Sequence, residues 1–201
     1  MPFVQIRSGQ RPRLQLAACG VEAICELPRG QPYWSAEANN ARLALKALRA
    51  ILGGGLVAGV LDLTYALVEW SLRGSTPARV LQSIASGVLG RAAYAGGWAT
   101  AALGIAFHFA IATGACAVYF AASRRIALLV ERPVVCGALY GVAVYFVMQL
   151  IVLPLSAVPW KVSFPASRLA SGLVAHVACV GLPIALAIRW ADASPARGGR
   201  R

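Results

Sequence analysis

Residues 51–72 read ILGGGLVAGVLDLTYALVEWSL. Apart from Asp62 and Glu69 the run carries no charge, and it matches the ~20 residues a helix needs to cross ~30 Å of hydrocarbon. It lacks the strict polar–apolar alternation of a membrane β-strand, which excludes a barrel. The stretch therefore predicts a transmembrane helix, from about Ile51 to Leu72, with Trp70 near its far end.

Three more runs of the same kind follow. They extend from about Gly97 to Ala122, from Pro133 to near Pro154, and from about Leu169 to Ile188. The second stops at Ser123-Arg124-Arg125 and the fourth at Arg189-Trp190. Between the first two spans, Gly74-Ser75-Thr76-Pro77 is a helix-start signal, with a hydroxyl cap and a proline in the first turn. The segment ARVLQSIASGVLG after it sets Val80, Leu81, Ile84 and Val88 on one face, and Arg79, Gln82, Ser83 and Ser86 on the other. It is too short and too polar to cross, so it predicts an interfacial or re-entrant helix. The fold class expected is all-α: a polytopic membrane protein with a four-transmembrane-helix bundle and a short interfacial helix between spans 1 and 2.

Composition agrees. Hydrophobic residues make up 59% of the 201 and charged residues only 13%, where a soluble domain carries about 25% charged. The net charge of +12 does not indicate nucleic acid, because the basic residues flank apolar runs instead of forming one stripe. The five cysteines form no framework. Cys116, Cys136 and Cys179 lie in apolar runs as small hydrophobes, and Cys19 and Cys25 have no second pair to join them.

Residues 1–45 differ from the rest and predict a loosely ordered basic arm, with an amphipathic helix from about Ala36 to Arg49 lying on the lipid surface. The transmembrane domain then covers residues 46–190, and residues 191–201 form a basic tail. With both termini cytosolic, the inner side holds Arg42, Lys46, Arg49, Arg124, Arg125, Arg132, Arg189, Arg197, Arg200 and Arg201. The outer side holds Arg73, Arg79, Arg91, Lys161 and Arg168. That bias, and an outer belt of Trp70, Trp98 and Trp160, predicts a bacterial inner-membrane protein of this orientation.

Candidate chemistry lies in the spans. Asp62 and Glu69, seven residues apart, share a helix face with Gly55, Gly59 and Tyr65. Asp62 falls near mid-span, where a carboxylate costs ~2.5–3.5 kcal/mol on insertion scales. Both histidines of the chain are also intramembrane: His108 near the middle of the second span and His176 near the middle of the fourth. The expectation is a polar intramembrane cluster of Asp62, Glu69, His108, Gln149 and His176, turned into the bundle. Three readings stay open: hydrogen-bonded helix glue, a proton or cation pathway, and a ligand site in which His108 and His176 hold haem iron or join Asp62 on a metal. The GxxxG pairs Gly55/Gly59 and Gly137/Gly141 predict close crossing of the first and third helices. Pro183 predicts a kink one turn beyond His176. No nucleophile motif, phosphate loop or metal-ligand spacing argues for an enzyme or a cofactor. The expected partners are the lipid bilayer and, beyond it, a second copy or a larger membrane complex.

Five stretches carry a resemblance: GLVAGVLDLTYA (55–66), RVLQSIASGVLG (79–90), ALGIAFHFAIA (102–112), RPVVCGALYGVAVYFVMQ (132–149) and VLPLSAVP (152–159). From about Gly53 to Arg189 the chain resembles a group of bacterial inner-membrane proteins distantly similar to the YagU-like family. The resemblance implies a four-span inner-membrane protein, brings no assigned chemistry, and does not reach the first fifty residues. The function expected is that of a non-enzymatic membrane protein, a proton- or ion-coupled element or a small subunit or scaffold. The alternative is a haem- or metal-binding redox protein using His108 and His176.

Overall fold

The computed structural model describes residues 33–160 and 165–193. The chain divides after Ala41. The part of the first unit described, residues 33–41, is helical, and the rest of the predicted arm, with Cys19 and Cys25, lies outside the described residues. The predicted tail is described only to Ala193.

Among the described residues six α-helices follow one another, with a 3-10 helix (Gly90–Ala95) between the second and third, and no strand occurs. They are α1 (Tyr33–Leu72), α2 (Pro77–Leu89), α3 (Gly97–Ser123), the single turn α4 (Leu128–Glu131), α5 (Pro133–Leu155) and α6 (Ala166–Ala193). Among the described residues, α1, α3, α5 and α6 are long and apolar enough to cross a membrane. The protein is thus an all-α membrane bundle. Its spans leave large side chains such as Leu56, Val60, Val118, Leu139, Phe146 and Val174 exposed, a surface that needs lipid as its solvent. The buried positions are dominated by small residues, among them Ala58, Ala101, Ala112, Cys116 and Ala185. Membrane helices associate this way, because lipid offers no hydrophobic drive and close packing must replace it.

The first span differs from the expectation at its start. From Arg42 to Leu72 the helix has no break near Arg49–Ile51, so the basic turns prolong the span and do not form a separate surface helix. None of the intervening residues is a helix breaker strong enough to stop it: Gly53, Gly54 and Gly55 weaken a helix by about 1 kcal/mol each, less than apolar surroundings return.

The α1–α2 connection forms as the sequence signal requires. Gly74 takes a positive φ of 87°, which only glycine adopts freely, and Thr76 in extended conformation accepts the Arg79 amide at 3.3 Å with Pro77 next to it. The face α2 buries is richer than the apolar spacing suggested. Val80 and Leu81 are buried as expected, but so are Gln82, Ala85 and Ser86, while Val88 is exposed. Gln82 Nε2 donates to the Gly97 carbonyl at 3.0 Å, and Ser86 Oγ donates to the Ser83 carbonyl at 2.7 Å. Both polar groups are satisfied, which is what lets them go inside. Gly104 makes this docking possible, since a Cβ there would run into the Leu81 backbone.

The GxxxG pairs find partners other than those predicted. A Cβ on Gly55 would meet Thr113 Cα at 2.6 Å, and one on Gly59 would meet Phe109 at 2.7 Å, so this pair packs on α3. Gly137 and Gly141 pack on α6, against Gly181, Ala185 and the His176–Val177 backbone. The predicted crossing of the first and third spans is therefore replaced by two antiparallel seams between consecutive spans, the arrangement short connections favour.

Two wide π-type turns interrupt the spans, Met148–Val152 in α5 and His176–Gly181 in α6. Each lies just before a proline, Pro154 or Pro183. A proline has no N–H for the carbonyl four residues earlier, and the extra residue of a π turn absorbs the mismatch. This is the form taken by the distortion expected from Pro183.

Candidate functional site

The C-terminal halves of α1 and α5 and the N-terminal half of α6 lie at the same end of the bundle as α2. A cavity of about 650 Å³ opens between these four elements. Its wall follows three helical ridges: Asp62, Tyr65, Ala66, Glu69 and Arg73 on α1, Tyr145 and Gln149 on α5, and Arg168, Gly172 and His176 on α6. The spacings of three and four residues put each set on one helix face, and Arg79, Ser83 and Tyr94 close it from the α2 side.

Asp62 and His176 mark the deep end. Asp62 Oδ2 stands 3.9 Å from His108 Nε2, too far for a hydrogen bond. His108 itself does not line the cavity. It sits behind Asp62 on α3, and its Nε2 donates to the Gly59 carbonyl at 3.0 Å. A carbonyl can only accept, so the neutral ring carries its proton on Nε2. The approach depends on Gly59, whose missing side chain leaves room for Phe109, the neighbour that meets the His108 ring edge-on at 5.7 Å.

His176 belongs to the cavity but to a different local arrangement. Its Nδ1 donates to the Gly172 carbonyl at 3.0 Å, and the Tyr145 ring meets it edge-on at 5.3 Å. Its position at the first residue of the π turn and that of Gln149 inside the other place both distorted turns on this wall. Such turns are frequent at functional sites.

Toward the mouth, Glu69 Oε1 pairs with Arg73 at 2.6 Å. Two guanidiniums lie over the Trp70 ring, Arg73 at 5.6 Å and Arg168 at 5.8 Å from its centroid. Arg79 stacks over Tyr94 at 5.0 Å. The Tyr65 hydroxyl donates to the Ser171 carbonyl at 3.3 Å and ties α1 to α6.

The structure thus brings Asp62, Glu69, Gln149 and His176 to one cavity and Asp62 to His108, but splits the expected cluster into an Asp62–His108 pair and a separate His176. Among the described residues no three His, Cys, Asp or Glu side chains converge as a metal would need. His108 lies outside the cavity with its Nε2 on the Gly59 carbonyl, while His176 lines it. Sequence reading missed Tyr145, Arg79 and Arg168 as parts of this site. Tyr145 had a signal, since Gly141, Tyr145 and Gln149 recur every four residues along one helix face. The arginines had none beyond their place in the flanks, because only the fold sets the starts of α2 and α6 around one cavity. No family model, curated protein or solved structure matches this chain, so the case for its function rests on these residues.

Proposed function

We infer that the protein is a proton- or cation-coupled element of a bacterial inner membrane, in which Asp62 exchanges a proton with the compartment that the cavity faces. The observation that supports this is the position of Asp62: a mid-span carboxylate at the deep end of a polar cavity, with His108 3.9 Å behind it. A carboxylate held only as helix glue has no need of access from solvent.

A proton added to His108 goes to Nδ1, the ring nitrogen not used by Gly59, and creates an imidazolium beside the Asp62 carboxylate. Beyond the pair the bundle is packed by Ala50, Ala58, Cys116, Tyr119 and Ile184. The reading is accordingly an element that must rearrange to pass a proton on, and not an open pore. The bias of basic residues supports placing both termini in the cytosol and the cavity outside.

Proton flux into liposomes under an imposed potential tests the reading on wild type and Asp62→Asn. The wild type should acidify the lumen. Asp62→Asn should abolish flux while its melting temperature in detergent changes little, since no hydrogen bond to Asp62 is lost. Wild-type liposomes no more permeable than empty ones would overturn the proposal. Reporter fusions test the orientation: Arg125 should read cytosolic and Ser75 periplasmic, and the reverse pattern would sink it.

A further inference from the structure

The charges of the cavity are sorted by depth. At the mouth, Arg73 is neutralised by Glu69. Arg79 and Arg168 have only aromatic faces beside them, Tyr94 and Trp70, and no carboxylate partner among the described residues. Both also stand in the first turn of a helix, α2 and α6, where the backbone adds positive potential. At the deep end the order reverses, with the carboxylate of Asp62 and no arginine or lysine among the residues around it. A single ion would suit one end and be repelled by the other. A molecule with an anionic group at one end and an ammonium at the other suits both.

The length of that molecule follows from the helices. Asp62 and Glu69 are seven residues apart on α1, as Arg168 and Ala175 are on α6, which separates floor from mouth by about 10 Å at 1.5 Å per residue. The ammonium and carboxylate of one amino acid are much closer than this. An extended chain of two or three residues, at about 3.3–3.6 Å each, spans it, and the cavity volume of about 650 Å³ lies within the range of small-molecule sites.

We propose that the cavity binds an elongated zwitterion, a short peptide or a molecule of like charge spacing, with its carboxylate on Arg79 and Arg168 and its ammonium on Asp62. Planar guanidiniums braced on aromatic rings suit a carboxylate, because less freedom is lost when the forked hydrogen bonds form. Tyr145, Gln149 and His176 supply hydrogen-bonding groups along the middle. The site shares its cavity with the coupled element proposed above but does not require Asp62 to move a proton.

Trp70 and Trp160 both line the cavity, so binding to the purified full chain in detergent can be followed by tryptophan fluorescence. Four soluble probes are compared: tri-alanine, N-acetyl-tri-alanine, tri-alanine amide and O-phosphoethanolamine, the last a short zwitterion of lipid-headgroup type. Tri-alanine should give a saturable change. The acetylated and amidated forms, each lacking one charge, should bind at least tenfold more weakly, as should the short zwitterion. Arg168→Gln and Asp62→Asn should each weaken tri-alanine at least tenfold while keeping the helical circular dichroism and elution volume of the wild type. If either variant fails to fold, Arg79→Gln, exposed at the mouth, takes its place under the same expectation. No saturable response to tri-alanine, equal binding of the blocked forms, or a preference for the short zwitterion overturns the proposal. Proton flux without peptide is measured separately, so binding can fail while flux survives, and the reverse.

Discussion

The two ends of the bundle solve opposite problems with similar residues. At the α2 end four elements stand apart around a polar cavity. At the other end, where α3 turns into α5 and α6 finishes, the helices are drawn together and backbone groups are covered. Arg189 Nη1 donates to the Val130 and Glu131 carbonyls at 2.9 and 3.3 Å, and the Tyr119 hydroxyl donates to the Leu129 carbonyl at 2.9 Å. Tyr140 reaches across to the Ala115 carbonyl at 2.7 Å. The Leu129, Val130 and Glu131 carbonyls belong to the single turn α4, too short to satisfy its own last carbonyls, so their donors stand in for the missing helical amides. Tyrosine and arginine thus close one end by pointing at backbone. At the other end, Arg79, Arg168 and Tyr145 point into the cavity or at rings. At that end, among the described residues, only Tyr65, on the Ser171 carbonyl, is used as the tyrosines of the closed end are.

The largest expected effect comes from the seam that holds the closed end. A Cβ on Gly181 would run into the backbone of Gly137 and Gly141, and backbone cannot move aside as a side chain can. Gly181→Val should cost about 3 kcal/mol or more, at the upper end of overpacking, and appear as aggregation on size-exclusion chromatography. Gly114→Ala, where nothing lies within 4 Å, should elute and melt like the wild type. Similar behaviour of the two would mean that α5 and α6 are not in close contact.

Next is access. With all native cysteines but Cys116 replaced, a cysteine at Ser83 or Ser171 should react with a membrane-impermeant maleimide from the α2 side. Buried Cys116 should react at least tenfold more slowly from either side. Comparable rates would erase the distinction between an open and a closed end. Removing the carbonyl partner by Arg189→Ala should lower stability in detergent by about 1–2 kcal/mol, the lower part of the range for charged hydrogen bonds because the side chain is exposed. An unchanged melting temperature would show that water covers those carbonyls equally well.

What the sequence made legible divides along the same line. Spans, the Thr76 cap and the shared face of Asp62 and Glu69 are local, set by apolar length, by one hydroxyl before a proline, and by a period of 3.6 residues. Asp62 meeting His108 was also readable in outline, because two costly groups at one depth have reason to face each other. Which seams the glycines serve was not. Gly55 and Gly137 are equally suited to either neighbour, and the choice depends on which backbones the short connections bring together. Nor could spacing place Gln82 inside, since its burial depends on a single acceptor, the Gly97 carbonyl, fifteen residues away.

The smallest effect expected concerns the most visible contact of the closed end, the ion pair of Arg124 Nη1 and Asp192 Oδ1 at 3.0 Å. It links the end of α3 to the end of α6 and looks like a clasp. Both side chains are more than two-fifths exposed, however, and a pair in that setting gains little from Coulomb attraction while losing side-chain freedom. Arg124 has other partners as well: it lies over the Phe120 ring at 4.9 Å and donates to Ser123 Oγ. A double-mutant cycle of Arg124→Ala and Asp192→Ala should therefore return a coupling energy below about 1 kcal/mol, shrinking further in salt. A coupling of several kcal/mol would mean that charge holds this end shut. The small value expected assigns closure to the glycine seam and the covered carbonyls, neither of which salt can loosen.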